Sequence, residues 1–317
     1  MLSLVIPVYR NEESIPDLIA ALEELNRSLS GAFEAVFVVD GSPDRSLDLL
    51  QKLLPDVGFR SQLLSLSRNF GSFAAIRAGL AAGGGDLFAV MAADLQEPPD
   101  LILSFKEALE SGQFDVAVGC RDSRSDPLRD RFFSSAFWGL YRTLVQREVP
   151  RGGVDVFGCT RRFRDQILTL GESNSTLVGL IFWLGFRRAE IRYIRRPRQH
   201  GRSAWSFRRK FRYLLDSCFA FSDLPMRLLS LVGLTGMTLS VIFGVVVLVG
   251  RATGRIEVPG YTATVLTVMF FGGLNSLGIG ILGEYLWRTF ENTKGRPSYV
   301  VFSRAEFSGQ PAGDGHG

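Results

Sequence analysis

The sequence predicts an α/β fold with a mostly parallel central sheet, followed by two long apolar helices. Three observations predict it. Short apolar runs alternate with amphipathic segments through Gly119. Polar and acidic clusters end those runs. Two uncharged stretches, Leu228 to Gly250 and Val258 to Gly283, lie near the end of the chain. Each exceeds the ~20 residues a helix needs to span a bilayer, and the first is roughly 34 Å long as a helix.

The elements follow in order. Leu2 to Val8 is a first strand. Asn11 to Ser14 is a polar turn with Ser14 as a candidate N-cap. Ile15, Leu18, Leu22, Leu25 and Leu29 then recur on one helical face. Phe33 to Val39 is a second strand, ending in Asp40-Gly41-Ser42-Pro43-Asp44. A second helix carries Leu47, Leu50 and Leu54 on one side. Leu63 to Leu66 is a third strand, leading into Ser67-Arg68-Asn69-Phe70-Gly71 and a small-residue helix that reaches Ala82. Gly83-Gly84-Gly85 follows that helix and precedes a strand, so it is a connector. Leu87 to Met91 is a fourth strand that runs into Ala92-Ala93-Asp94-Leu95-Gln96-Glu97-Pro98-Pro99. A helix from Pro99 to Ser111 and a fifth strand from Phe114 to Gly119 complete the pattern, which implies βαβ units and a parallel sheet.

Beyond Arg121 the pattern loosens. Arg129 to Val145 reads as a helix, Gly152 to Phe157 as a loop entering a strand, Ser175 to Phe186 as an apolar helix, and Ala189 to Ile194 as a strand. From Trp205 to Phe221, Phe207, Phe211, Leu214, Leu215 and Phe219 oppose Arg208, Arg209, Lys210 and Arg212. That is the profile of a helix lying in a membrane interface. Tyr299 to Phe302 reads as a short returning strand, and residues 303–317 as disordered.

Composition narrows the chemistry. The 317 residues carry a formal net charge of +4, but the charge is concentrated. Arg187 to Arg212 holds eleven Arg and Lys residues against one acid, Glu190. Such a cluster beside apolar spans suits phosphates and anionic lipid headgroups rather than nucleic acid. Positive-inside weighting places both termini in the cytoplasm. Three widely spaced cysteines (Cys120, Cys159, Cys218) fit neither a disulfide framework nor zinc spacing, and read as reduced, packed thiols. The first residues have no basic n-region and reach Pro7 quickly, as a strand does and a signal peptide does not. The Rossmann Gly-rich turn and the P-loop are both absent, which argues against NAD and against ATP hydrolysis.

The polar signals share one place. Pro7 to Glu13, Asp40 to Asp44 and Asp94 to Gln96 all fall at the C-terminal ends of strands, where open α/β sheets bind ligands. Asp94 and Gln96 offer oxygens to Mg2+ or Mn2+, which can hold a diphosphate; a solvated strand-to-helix loop is the alternative. A nucleotide-activated donor at this edge and a phosphate-bearing lipid acceptor at the basic segment would use every part.

These motifs together resemble a known family. Val5-Ile6-Pro7-Val8-Tyr9 with Asn11-Glu12-Glu13, Val39-Asp40-Gly41-Ser42-Pro43-Asp44, Leu66-Ser67-Arg68-Asn69-Phe70-Gly71, Ala93-Asp94-Leu95-Gln96-Glu97-Pro98-Pro99, and Gly283-Glu284-Tyr285 with Lys294-Gly295-Arg296-Pro297 are similar to the family 2 inverting glycosyltransferases. The branch resembled is that of the polyprenyl-phosphate glycosyltransferases, kin to dolichol-phosphate mannose synthases. The resemblance implies a GT-A catalytic domain over residues 1–204, amphipathic interfacial helices over 205–227, a transmembrane hairpin over 228–287 and a cytosolic C-terminal segment over 288–317.

The resemblance also implies roles. Pro7, Tyr9, Glu12 or Glu13, Asp40 and Asp94 would line the nucleotide site, with Asp40 on the uracil or ribose. Asp94 and Gln96 would hold Mg2+ or Mn2+. Arg121, Arg131, Ser135, Arg196, Arg198 and Arg202 would bind the acceptor phosphate, and Asp155 would lie near the acceptor, as a catalytic or orienting acid beside Asp94. The implied reaction moves a sugar from a UDP-linked donor to undecaprenyl phosphate, in a homo-oligomer at the cytoplasmic face of a bacterial cell membrane. Two departures stand out. Arg10 separates Tyr9 from Asn11, and Ala92 stands where the family's Asp-x-Asp pattern has its first acid. Ala92 keeps alive a catalytically silent membrane scaffold. A processive polysaccharide synthase is the other alternative, for which two spans are too few to form a channel alone.

Overall fold

In a computed structural model of the chain, the structure describes residues 1–121, 139, 141–143, 145, 148–150, 153–154, 156–172, 175–196, 207–253 and 260–309. The first elements are β1 (Leu2–Val8), α1 (Ile15–Ser28), β2 (Phe33–Val39), α2 (Ser46–Leu53), β3 (Arg60–Leu66), α3 (Ser72–Ala82), β4 (Leu87–Val90), α4 (Pro99–Glu110), β5 (Val116–Arg121), β6 (Val156–Thr160), α5 (Arg161–Thr169), α6 (Leu177–Trp183) and β7 (Arg188–Tyr193). Three long helices follow, α7 (Phe207–Phe221), α8 (Leu224–Ala252) and α9 (Tyr261–Thr293), and the chain returns as β8 (Val301–Phe307).

The strands form one eight-stranded sheet in the order β7-β5-β6-β4-β1-β2-β3-β8. β6 and β8 run antiparallel to their neighbours, and the other pairings are parallel. Six strands therefore end at the same edge. β2 is buried along its whole length, as a strand covered on both faces must be. On one face Leu4, Ile6 and Phe37 meet Leu18 and Leu22 of α1 and Ile102 and Phe105 of α4. On the other, Val5, Val36 and Val38 meet Ala75 and Ala78 of α3, with Phe163 of α5 and Leu180 of α6 in the same core. The small residues of α3 have a steric cause. A Cβ on Gly79 would lie 2.3 Å from Val5 Cγ1, so this helix sits too close to β1 for a larger side chain.

β1 is the pivot. It pairs with β2 on one side and β4 on the other, so the strand order reverses there. Pairing with β4 stops at Val5–Val90, with the Met91 N–H donating to the Val5 carbonyl at 3.1 Å. Val5 thus faces β4, and so does Pro7, two residues on. Proline has no N–H to donate, and it falls just where the β4 ladder has ended. The two strands cease to pair there, at the carboxyl edge, the place where open α/β sheets form their ligand crevice.

At the opposite edge a buried polar row ties the strands. Glu34 accepts hydrogen bonds from Ser3 Oγ at 2.7 Å, Gln62 Nε2 at 2.7 Å and the Gly84 N–H at 2.9 Å. Gln62 Oε1 accepts from Arg304 of β8 at 2.9 Å. Burial alone would raise the Glu34 carboxyl; the bonds from Gln62, Ser3 and Gly84, with Arg60 nearby, outweigh it and hold the carboxyl below its usual range. The Gly83 to Gly85 connector is thus fixed to β1 and β2.

The three cysteines are unpaired and buried, as expected. One expectation needs correction. Ser303 to Phe307 is not disordered: it continues the returning strand, antiparallel to β3. The second long helix continues beyond its uncharged stretch to Thr293, about 50 Å in all. The expected helix over 129–145, the basic segment beyond Arg196 and residues 310–317 lie outside the described residues, wholly or in large part.

α8 and α9 contain two stretches, Leu224–Val246 and Thr267–Thr293, that are long and apolar enough to cross a membrane by length and composition. Their apolar side chains are uncovered, with Leu231 60% and Ile279 71% exposed. α7 is shared between two neighbours. Leu214 and Cys218 enter the α3-side core, and the Phe221 ring packs where a Cβ on Gly179 would stand, 2.2 Å away. On its other side Asp216 pairs with Arg288 of α9 at 2.8 Å, and Arg288 also holds Glu284 at 2.8 Å. Of the expected apolar stripe, Leu214 is thus buried against protein, while Leu215 is 40% exposed.

Replacing Glu34 by leucine leaves Ser3, Gln62 and Gly84 donors without an acceptor, and is expected to lower the unfolding free energy by about 3 kcal/mol or more. The native contribution of Glu34 is full above the unfolded carboxyl value of ~4.3 and is lost as pH falls through its lowered folded value. Denaturant midpoints of the wild type and Glu34→Leu, compared from neutral to acidic pH, check both statements.

Candidate active site

The carboxyl edge is built from three loops locked to one another. Asp44, after β2, is the hub of the first two. Its carboxylate accepts from Ser42 Oγ at 2.6 Å, Ser46 Oγ at 2.9 Å, the Glu12 N–H at 3.1 Å and the Ser46 N–H at 3.2 Å. Burial would raise the Asp44 carboxyl, but these hydrogen bonds prevail and hold it low. Glu12 answers by accepting the Arg45 N–H at 2.9 Å, next to the start of α2. Arg10, at φ 56°, donates its N–H to Ser42 Oγ at 2.8 Å. An open groove of about 380 Å³ lies between the two loops, lined by Arg10, Asn11, Glu12, Glu13, Ser14, Pro43 and Asp44. A larger cavity of about 530 Å³ lies away from this edge, between α7 and α9.

Asp40 locks the third loop. It is buried, and its two oxygens accept the N–H of Phe70 at 2.7 Å and of Gly71 at 2.8 Å. The loop comes so close that a Cβ on Gly41 would lie 2.3 Å from the Arg68 carbonyl carbon; Gly41 also sits at φ +57°. Asp40 was expected on the nucleoside. In the structure both its oxygens hold the Ser67–Gly71 loop, which carries the Arg68 guanidinium 4.1 Å from the Phe70 ring.

Across the crevice is the turn after β4. Leu95 at φ 54° bends the chain back, so that the Gln96 N–H donates to Asp94 Oδ1 at 3.3 Å. Glu97, nearly fully buried, accepts the Ala92 N–H at 3.3 Å. Pro7 and Asp94 are half-buried and Tyr9 is exposed, with the Arg10 guanidinium 5.5 Å from its ring. Arg121 ends β5 opposite Tyr193, so it belongs to the same edge.

Gln96, expected as a metal ligand, contacts two arginines of the chain. Its Oε1 accepts from Arg195 Nη2 at 2.7 Å, its backbone carbonyl accepts the Arg196 N–H at 2.8 Å, and its Nε2 donates to the Arg196 carbonyl at 3.4 Å. The expected metal-ligand oxygen is therefore bonded to a cation of the chain itself. Ala92 supplies no side-chain oxygen, and Asp40 is engaged on Phe70 and Gly71. Among the described residues no three His, Cys, Asp or Glu side chains cluster to hold a metal ion. The described residues of this turn do not form a divalent-ion site on their own.

The structure thus brings Pro7, Tyr9, Glu12, Asp40, Asp94, Gln96, Arg121 and Arg196 to one edge. Arg131, Ser135, Asp155, Arg198 and Arg202 lie outside the described residues. Sequence reasoning assigned no role to Asp44, Glu97 or Arg195. The Asp-x-Ser spacing of Asp44 and Ser46 is a helix-start signal that could have revealed the first. Nothing local distinguishes Arg195 from its basic neighbours.

Residues 3–170 match the sequence profile of Glycosyl transferase family 2. The chain belongs to this family. It is a glycosyltransferase with a GT-A fold, the mostly parallel sheet carrying helices on both faces. Among its relatives, "Undecaprenyl-phosphate 4-deoxy-4-formamido-L-arabinose transferase" of Pseudomonas paraeruginosa is 37% identical over 95% of this chain and 89% of its own. "Putative glycosyltransferase CsbB" of Bacillus subtilis is 32% identical, covering 95% and 91%. "Prophage bactoprenol glucosyl transferase homolog" of Escherichia coli is 28% identical, covering 95% and 98%.

Asp40→Asn keeps one acceptor and loses the charge and the other. It is expected to cost about 2 kcal/mol, since hydrogen bonds to charged groups are worth roughly 1.5–3 kcal/mol. The unfolding midpoint would drop by about 4–8 °C. Unchanged thermal stability with reduced nucleotide affinity would show that Asp40 acts on the ligand alone.

Proposed function

We propose that this glycosyltransferase moves a sugar from a nucleotide sugar, UDP-linked, to a polyprenyl phosphate at the cytoplasmic face of a membrane. One observation carries the reading. The turn that bears Asp94 is hydrogen-bonded directly to Arg195 and Arg196, within the basic segment. In the sequence that segment leads into α7 and the two long apolar helices. A phosphorylated lipid acceptor and an activated donor would therefore meet at one edge of the sheet. Two relatives named as an undecaprenyl-phosphate transferase and a bactoprenol glucosyl transferase homologue support the same acceptor class.

The chemistry follows from charge. A phosphate monoester has a second pKa near ~6, so at neutral pH the acceptor is mostly a dianion and needs no strong general base. Its oxygen attacks the anomeric carbon, and the nucleoside diphosphate leaves from the opposite side, which inverts the configuration. Pro7, Tyr9 and the Asp40-gripped loop would frame the nucleoside. Arg121 and Arg196 would present planar forks to the acceptor phosphate. Asp94, at the crevice, would orient the donor.

The test is direct. The purified full chain is incubated with polyprenyl phosphate and a panel of UDP- and GDP-sugars, with and without Mg2+ or Mn2+, and lipid-linked sugar is measured. One sugar transferred per lipid is the expected product. Asp94→Ala is expected to lower transfer by about 100-fold or more, the usual scale for loss of a positioned polar group at a reacting centre. Wild-type protein that binds lipid yet transfers nothing from any donor would point to the silent scaffold instead.

A further inference from the structure

The donor edge carries a cation that the proposed reaction has not used. Arg195 is fixed at one end, with Nη2 on Gln96 Oε1 at 2.7 Å. Its neighbour Arg196 is pinned through two backbone bonds to the same Gln96, so the position of Arg195 is set by the turn that bears Asp94. Among the described residues its Nε is buried and meets no hydrogen-bond acceptor, although the residue as a whole is only half-buried. A buried N–H left without an acceptor is costly, and a ligand oxygen placed there would relieve it. Two neighbouring features favour a cation here over a divalent ion held by protein. Ala92 gives no oxygen, and both oxygens of Asp40 are held by the Phe70 and Gly71 N–H groups.

We propose that Arg195 is a resident cation of the donor site. Its guanidinium binds the diphosphate of the nucleotide sugar beside the Asp94–Gln96 turn, where a divalent ion would otherwise need Gln96 Oε1. A guanidinium matches two phosphate oxygens with parallel N–H bonds and keeps its charge at every working pH. The positive charge that steadies the leaving diphosphate is then built into the chain, and donor binding is largely independent of added metal. This inference rests on the donor reading above.

The experiment measures UDP and GDP affinity by calorimetry on the detergent-purified full chain, in EDTA and in Mn2+. The wild type is expected to lose less than about fivefold in EDTA for the nucleotide it prefers. Arg195→Met is expected to lose about 30-fold in EDTA, within the range for removing one partner of a hydrogen-bonded charge pair. Mn2+ would recover much of that loss, because Gln96 Oε1 is freed. Arg195→Lys, which keeps the charge without the fork, would fall between. A merely structural role for Arg195 would lower affinity equally with and without Mn2+, and would overturn the proposal. So would a wild type that needs Mn2+ to bind at all, an arm that requires no variant to fold. Binding in Mn2+ alone overturns this inference and leaves the donor reading standing, whereas no binding of either nucleotide in either condition overturns both.

Discussion

The parting of β1 and β4 is the constraint on which the site depends. β1 is flanked by two strands whose connections leave in opposite directions, and Pro7 withholds the N–H that another ladder bond would require. The two strands therefore separate, and the loops that follow them face each other across a gap. Every residue given a role at the edge is placed relative to that gap. Tyr9 and Arg10 continue β1, Asp94 and Gln96 follow β4, and Arg121 and Arg195 follow strands farther along the same edge.

What holds the gap in shape is a set of carboxylates turned toward backbone N–H groups. Asp40 fixes the loop before α3, Asp44 and Glu12 fix the starts of α1 and α2 to each other, and Glu97 fixes the turn after β4. Each of these acids could be taken for a ligand-binding residue from its position alone. In the structure each accepts backbone N–H groups and so holds a loop in place. An edge that carries arginines suits ligands that bear phosphates.

Much of this was legible in the sequence. The apolar runs of β1 to β5, the amphipathic stripe of α1 and the Pro98-Pro99 start of α4 follow from local patterns, and so does the shared edge of the polar clusters. The reversed strand β6 was not legible, because direction depends on pairing with β4 and β5 rather than on local composition. α5 was missed because Arg161, Arg162 and Arg164 surround only two buried residues, Phe163 and Ile167. β8 was read as partly disordered because its alternation includes Arg304 and Glu306 and its exposed face is not apolar. The bond between Gln96 and Arg195 joins residues 99 apart in sequence, so nothing local announces it. It changed the reading of the site more than any other contact.

The order of the strands has a further mechanical consequence. β7 and β8 are the two outermost strands of the sheet. The chain departs from one flank, passes through α7, α8 and α9, and rejoins at the other. In the proposed membrane setting the sheet hangs from two points rather than one. A single tether would let the domain swivel about its linker; a suspension from both flanks resists that rotation. The donor edge then keeps a constant height and tilt above the bilayer, and a lipid phosphate confined to that plane needs to search in only two dimensions to find it.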